Sequence, residues 1–164
     1  MGLKQIASET VTSATSSVDL IGTTTDDCYM IVVNGYIPTS DAADLRARVL
    51  ESSTPNTTAN YDRAFLAIRT DTTYSNQSNT NETYYDLTTA VGNSTGEQMN
   101  GIMYIYNAND SNEFTYITAE NSQLSHTALL IGNQGSAVFT SDSQVNGIRL
   151  YPNTGNIASG TFTL

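Results

Sequence analysis

Short runs of apolar or alternating residues recur about every ten positions along this chain, and clusters of Ser, Thr, Asn, Asp and Gly separate them. Each run is long enough to form one β-strand, and each polar cluster can form a turn, so the pattern is typical of an all-β sandwich or barrel. It predicts strands at residues 18–21, 29–34, 45–51, 64–70, 84–87, 102–106, 114–119, 127–131, 137–140, 145–151 and 160–164. We therefore expect an all-β fold, an antiparallel β-sandwich.

The chain has 164 residues, a length that suits one domain with one two-layer core. We expect this domain to span residues 18–164. Residues 1–17 are polar and contain the only lysine, Lys4, with isolated apolar residues such as Ile6 and Val11. We expect this segment to be an edge strand, or a polar N-terminal arm that has no part in the core and is ordered by a partner.

One predicted strand alternates Leu45, Ala47 and Val49 with Arg46 and Arg48. Successive side chains of a strand point to opposite faces, so the apolar set packs inward and the two guanidinium groups stand on the other face. The chain has sixteen acidic residues. We therefore expect both arginines to pair with carboxylates on a neighbouring strand or subunit.

Three other segments give specific expectations. Residues 29–33 are continuously apolar, which predicts a central strand covered on both faces. The runs 103–106 and 114–117 flank a polar segment, which predicts a hairpin with a polar tip. Residues 71–83 are rich in Thr, Asn and Ser, and we expect them to form the longest loop, exposed and available as a contact surface.

The formal net charge is −10 and the isoelectric point is near 4.1, with only six scattered Lys and Arg residues. Binding to nucleic acid needs clusters of positive charge, and an anionic membrane would repel this chain, so we expect neither partner. No run approaches the ~18 apolar residues that span a bilayer, and the N-terminus lacks the apolar region of a signal peptide. We expect a soluble protein made in a cytoplasm.

Few residues offer the chemistry of a catalytic or metal site. Cys28 is the only cysteine and lies in an apolar run, so we expect a buried side chain and no intrachain disulfide. His126 is the only histidine and no Gly-x-Ser-x-Gly elbow accompanies it, which favours a surface role. Asn107, Asn109, Ser111 and Glu113 place oxygen ligands at alternate positions, as in a calcium loop, but the glycine and the terminal bidentate Glu of such a loop are missing, which favours a hairpin tip. We expect no enzyme activity, cofactor or metal.

The loop-rich middle of the sequence contains four tyrosines, Tyr61, Tyr74, Tyr84 and Tyr85. Aromatic faces stack on sugars as well as on protein, so two interpretations stay open. The tyrosines form a glycan-binding surface, or they are amphipathic side chains at the rim of the sandwich or at an interface.

Several blocks of the sequence resemble one group of phage proteins. The string Thr-Gly-Asn-Ile-Ala-Ser-Gly-Thr-Phe at residues 154–162 resembles the last strand pair of small β-rich proteins from tailed bacteriophages. In the block at residues 27–41 a strand runs into a Gly-x-x-Pro-x-x-Asp turn, and residues 45–50 form an arginine-bearing strand. Shorter blocks lie at residues 17–22 and 60–62. The chain thus resembles the jelly-roll-type virion structural proteins of tailed bacteriophages, the capsid cement, decoration and tail-appendage group.

This resemblance implies a jelly-roll-like sandwich, a non-enzymatic role in the virion, and a homotrimer. The leading hypothesis is a capsid cement or decoration protein, made in the host cytoplasm, that binds the outer surface of the major capsid shell and stabilises it. The alternative is a tail-tip or fibre module that recognises host-surface glycans, and a third hypothesis is a free carbohydrate-binding or hydrolytic sandwich. The candidate subunit or particle contacts are Lys4, Ile6, Arg46, Arg48, Tyr74, Tyr84 and Tyr85.

Overall fold

The computed structural model describes residues 2–164, which form β-strands joined by turns and loops. The strands are β1 (Ser8–Val11), β2 (Val18–Ile21), β3 (Cys28–Pro38), β4 (Leu45–Glu51), β5 (Thr54–Pro55), β6 (Tyr61–Arg69), β7 (Tyr74–Glu82), β8 (Tyr85–Asp86), β9 (Met99–Tyr106), β10 (Thr115–Leu124), β11 (Leu130–Phe139), β12 (Gly147–Pro152) and β13 (Ile157–Thr163). This described part of the chain contains no helix long and apolar enough to cross a membrane.

The strands form two antiparallel sheets. The large sheet has eight strands in the order β1-β13-β3-β9-β10-β11-β6-β7. The small sheet has the order β2-β12-β4-β5. Strands β5 and β8 both pair with the edge of β4 that faces away from β12, β5 at Leu50 and Glu51 and β8 at Arg46 and Ala47. Residues from both sheets meet in one apolar core, so the two sheets pack face to face. This arrangement confirms the predicted antiparallel, jelly-roll-like β-sandwich.

Strand β3 lies inside the large sheet, between β13 and β9. Its inward residues Tyr29, Ile31 and Val33 are buried, whereas Met30 and Val32 between them face outward and are half-buried. The prediction of a strand covered on both faces is therefore wrong. The reason is that the small sheet covers only the inner face of the large sheet, so the outward residues of β3 keep contact with solvent.

The arginine-bearing strand β4 has the predicted bounds and the predicted faces. Leu45 and Val49 are fully buried in the core, and Arg46 and Arg48 lie on the opposite face, half-exposed. The bounds of β2 are also as predicted. Strands β9 and β10 form the predicted hairpin, joined by the polar connection at residues 107–114. These elements are the ones in which alternation and turn residues agree.

Two polar segments are strands rather than loops or turns. Residues 71–83, predicted as the longest loop, contain β7, which pairs along its length with β6 at the edge of the large sheet. An edge strand can be polar on both faces because water reaches both. Strand β11 runs without a break through polar residues 132–136, where the sequence predicts a gap between two short strands. Strand β1 confirms the alternative of an edge strand within residues 1–17, because it lies at one edge of the large sheet, whereas β5 is not predicted.

The N-terminal segment is hydrogen-bonded to its own chain from Ile6 onward and forms a strand from Ser8. Strand β1 pairs with β13, from Ser8 opposite Thr163 to Val11 opposite Gly160. The side chain of Val11 is buried in the core. The expectation that residues 1–17 have no part in the core and take their order from a partner is therefore wrong for this strand.

Candidate functional site

The outer face of the large sheet carries a patch of aromatic and aliphatic side chains. On β9, Tyr104 and Tyr106 alternate with the buried Ile105, so they point away from the core. The neighbouring strands extend the patch, because Tyr104 is in register with Met30 of β3 and Tyr106 with Tyr116 of β10. We call this patch the aromatic face, with the members Met30, Ile102, Tyr104, Tyr106 and Tyr116.

The rings of Tyr104 and Tyr106 lie side by side. Their centroids are 6.4 Å apart and their planes are inclined by 29°, so the two faces are nearly parallel. Both side chains are half-buried, because neighbours on β3 and β10 flank them on either side. This packing restricts the rotamers of both rings and leaves each of them partly accessible.

A shallow depression of about 560 Å³ borders the two tyrosines. Its other side is formed by polar side chains of β10 and β11, where the Gln134 side-chain amide donates a hydrogen bond to the Glu120 carboxylate over 2.8 Å. Thr118 and Ser136 are cross-strand partners two residues away from the Glu120 and Gln134 pair, and they add hydroxyl groups to the lining. Among the described residues that line the depression, Glu120 is the only charged one. The depression can therefore form hydrogen bonds but has no positive charge of its own.

A second surface feature lies where the two chain ends meet. Residues 2–6 form one side of a groove of about 690 Å³, and β3 and the C-terminus form the other. The backbone N–H of Ile6 donates to the carbonyl of Leu164 over 2.7 Å, which holds the segment in place. Lys4 and Ile6 both line this N-terminal groove, while the side chain of Leu3 is 86 % exposed. The structure thus brings these two predicted contact residues together.

The predicted contact Arg46 is part of an internal charge cluster. Its Nε lies 2.7 Å from Oδ1 of Asp86 on β8, and Nη2 of Arg63 lies 2.8 Å from Oδ2 of the same carboxylate. The guanidinium of Arg46 also stacks on Tyr84, 3.7 Å from the ring centroid. The prediction that Arg46 pairs with a carboxylate on a neighbouring strand is confirmed. The cluster links β4, β6 and β8, so its clearest role is in holding the two sheets together.

The second predicted arginine does not pair with a carboxylate. Arg48 Nε donates to the carbonyl of Thr83 over 2.8 Å, and its guanidinium lies 4.9 Å from the ring centroid of Tyr151. The prediction of an acidic partner for Arg48 is wrong. The cross-strand neighbour of Arg48 is Arg149. Arg149 forms a bidentate salt bridge with Asp19, with Nε 2.7 Å from Oδ1 and Nη2 2.6 Å from Oδ2.

The four tyrosines singled out in the sequence do not form one surface. Tyr61 and Tyr85 are fully buried, and this burial raises the pKa of both phenols above the ordinary value. Tyr84 is half-buried under Arg46, and Tyr74 is 72 % exposed on the edge strand β7. The interpretation that these residues make a glycan-binding cluster is wrong. Sequence reasoning missed the aromatic face, although alternating tyrosines in a predicted hairpin strand are a signal for it.

Cys28 is exposed at the start of β3, which contradicts the expectation of a buried side chain. The alternation that buries Tyr29 turns Cys28 outward, and its remaining partial burial raises the pKa of the thiol. His126 is exposed in the turn between β10 and β11. Residues 2–164 contain no group of three or more His, Cys, Asp and Glu side chains placed to hold a metal ion.

Comparison of the chain with protein-family models, with curated proteins and with solved structures finds no match. The resemblance to phage virion proteins therefore stays a prediction. The fold and the surface features define an all-β sandwich with an exposed aromatic face on one sheet and an apolar groove at the joined chain ends.

Proposed function

We propose that this chain is a non-enzymatic structural protein of a phage virion, a capsid decoration protein that binds the outer surface of the major capsid shell and stabilises it. The sequence blocks that resemble virion proteins support this proposal, and so does the sandwich fold. The net charge of −10 suits a protein that stays soluble until it binds. The N-terminal groove supplies the contact.

The single observation that carries this proposal is the exposure of Leu3 beside the N-terminal groove. Leu3 is 86 % exposed, and among residues 2–164 the first backbone hydrogen bond of this segment is made by Ile6. Burying a leucine side chain contributes about 1.5–3 kcal/mol, so a protein surface that covers Leu3 and the groove gains from the contact. Lys4 lines the same groove and can pair with a carboxylate of the shell.

The proposal includes a homotrimer, which the resemblance implies. The large sheet has two open edges, β1 and β7, and open edges can pair with symmetric copies. Residues 74–81 of β7 carry no charged side chain, so a second copy can approach this edge without charge repulsion. Analytical ultracentrifugation should give the mass of three chains. A monomer at the highest concentration, with no threefold density on particles, would contradict this part of the proposal.

The experiment measures binding of the full chain to particles that lack it, by co-sedimentation and quantification of bound copies. We expect the wild-type protein to saturate the shell, and Leu3→Asp or deletion of residues 2–6 to lower occupancy at least tenfold. Strand β1 begins at Ser8, so the deletion leaves it intact. The matched control is Leu130→Asp, at a site 48 % exposed on β11, which should bind like the wild type. Full occupancy by both N-terminal variants, or binding only to tails, would overturn the proposal.

A further inference from the structure

We propose that the aromatic face and its depression bind an uncharged carbohydrate chain. The site is the strip where Tyr104 and Tyr106 of β9 face Glu120 and Gln134 across the outer surface of the large sheet. This inference does not rest on the proposed role in the virion, because the residues that line the depression are all different from those that line the N-terminal groove.

The two tyrosines supply the stacking surface. Their centroids are 6.4 Å apart with planes inclined by 29°, which presents two neighbouring, nearly parallel aromatic faces along one strand. A pyranose ring has an apolar face of C–H groups that packs on an aromatic face, while its hydroxyl groups project around the rim. Tyrosine has few rotatable bonds and these rings are already flanked by neighbouring strands, so binding costs little conformational entropy.

The polar wall supplies hydrogen bonds to the rim of the sugar. The Glu120 carboxylate accepts, the Gln134 amide donates and accepts, and the two groups are held 2.8 Å apart by their own hydrogen bond. Thr118 and Ser136 add hydroxyl groups in the register row of Tyr104. Adjacent sugar hydroxyls are themselves donors and acceptors, so they can bridge a carboxylate and an amide placed side by side.

Charge decides which sugars fit. No Lys or Arg belongs to the described lining of the depression, and Glu120 together with the net charge of −10 repels uronates, sialates and phosphorylated sugars. A neutral hexose polymer meets no such penalty. A second copy of the chain would bring a second Glu120 and the same net charge against this face, which disfavours self-association there. The charge pattern therefore selects a neutral glycan as the occupant.

The test is a titration of the isotope-labelled full chain, followed by amide chemical shifts in two-dimensional NMR. The probes are cellohexaose, laminarihexaose, maltohexaose and mannohexaose at millimolar concentration, with hexagalacturonate as the anionic comparison. We expect at least one neutral probe to shift the amides of β9, β10 and β11 together, and hexagalacturonate to shift none of them. Binding to none of the neutral probes, or shifts confined to other strands, would overturn the inference.

Variants assign the binding to the proposed side chains. We expect Tyr104→Ala and Tyr106→Ala each to weaken binding at least tenfold and Tyr104→Phe to retain it, since stacking needs the ring and not the hydroxyl. Glu120→Gln should weaken binding without changing the thermal midpoint. Tyr74→Ala, at a ring 72 % exposed on the edge strand, is the matched control and should bind like the wild type.

Two further results separate this inference from other readings. Equal binding by Tyr104→Ala and wild type would overturn the inference even if a sugar binds elsewhere. Concentration-dependent broadening of the same amides without sugar, abolished by Tyr106→Ala, would assign the face to a second copy and overturn the inference as well. Particle occupancy of Tyr104→Ala should equal that of the wild type, so a failure here is distinguishable from a failure of the decoration role.

Discussion

Removing the carboxylate of Asp86 should be among the most damaging single changes to this fold. Asp86 is the shared partner of Arg63, at 2.8 Å, and Arg46, at 2.7 Å. The side chains of Arg63 and Asp86 are only 6 % and 8 % exposed. In the described chain, Nε and Nη1 of Arg63 have no hydrogen-bond partner, so the contact with Asp86 is its main compensation for burial. Asp86→Ala would leave a buried guanidinium without a counter-charge.

The expected loss in the free energy of unfolding for Asp86→Ala depends on the burial of Arg63 rather than on the number of ion pairs. Breaking a buried pair by removing one partner typically costs about 3–5 kcal/mol. The side chain of Arg46 is 23 % exposed and can turn to water, so losing its contact adds at most about 1 kcal/mol. For a domain of this size a loss of this order lowers the melting temperature by about 10 °C.

The assay is urea unfolding followed by near-ultraviolet circular dichroism, which reports on the ten tyrosines in a chain without tryptophan. The companion variant Arg63→Met with Asp86→Leu replaces the buried pair by apolar side chains and should recover most of the loss. Arg46→Met alone should cost far less than Asp86→Ala. A cost below about 1 kcal/mol for Asp86→Ala, or no recovery in the double variant, would refute the reasoning.

Three smaller predictions concern other positions. A methyl group on Gly135 would overlap β6, so Gly135→Ala should lower the free energy of unfolding by about 1–3 kcal/mol in urea unfolding. At Gly132 the added methyl group would make only an ordinary contact, 4.0 Å from the carbonyl oxygen of Asn121, so Gly132→Ala should be nearly neutral. Cys28→Ala and His126→Ala should each change stability by less than about 0.5 kcal/mol, because both side chains are exposed. Burial raises the pKa of Asp44, so folding favours the protonated form of this carboxyl group. The resulting contribution to the free energy of unfolding is fully present below about pH 4 and is lost as pH rises through the folded-state pKa. The stability of the wild type relative to Asp44→Asn should therefore rise between about pH 7 and pH 4, and a constant difference would contradict this.

The strands with strict alternation could be predicted from the sequence, and those with polar inward residues could not. In β4, buried Leu45 and Val49 alternate with Arg46, and the predicted bounds are correct. In β11 the inward residue Asn133 is buried and bonds to Asn121 of β10 over 2.8 Å. In a sequence, a polar residue at an inward position resembles a turn residue, because the hydrogen-bond partner that allows its burial lies on another strand and is not visible in the local pattern.

The tyrosines of the candidate site also could not be identified from local sequence alone. Tyr61 and Tyr85 are fully buried, whereas Tyr104 and Tyr106 are half-buried on the outer face, although only the latter two occur in an apolar run. Which face of a strand is covered depends on where the small sheet lies, and that is a property of the whole topology. Alternation shows that Tyr104 and Tyr106 share a face of β9, but not whether this face is inside or outside.

The inner face of β10 explains why the outward tyrosines point to binding rather than folding. The segment after β8 crosses this inner face, where Asn121 donates to the carbonyl of Leu87 over 2.6 Å and Gln123 bonds to the carbonyl of Thr89. At this end of β10 the inward side chains are therefore amides, while Ile117 and Ala119 at the other end are buried in the core and the ring of Tyr116 is 48 % exposed on the outer face. Folding alone favours buried rings and solvated amides, and Asn121, Gln123 and Tyr116 depart from this distribution. A ligand that covers the part of these rings left exposed by the fold buries further apolar surface, and this is the physical argument for the proposed binding role of the aromatic face.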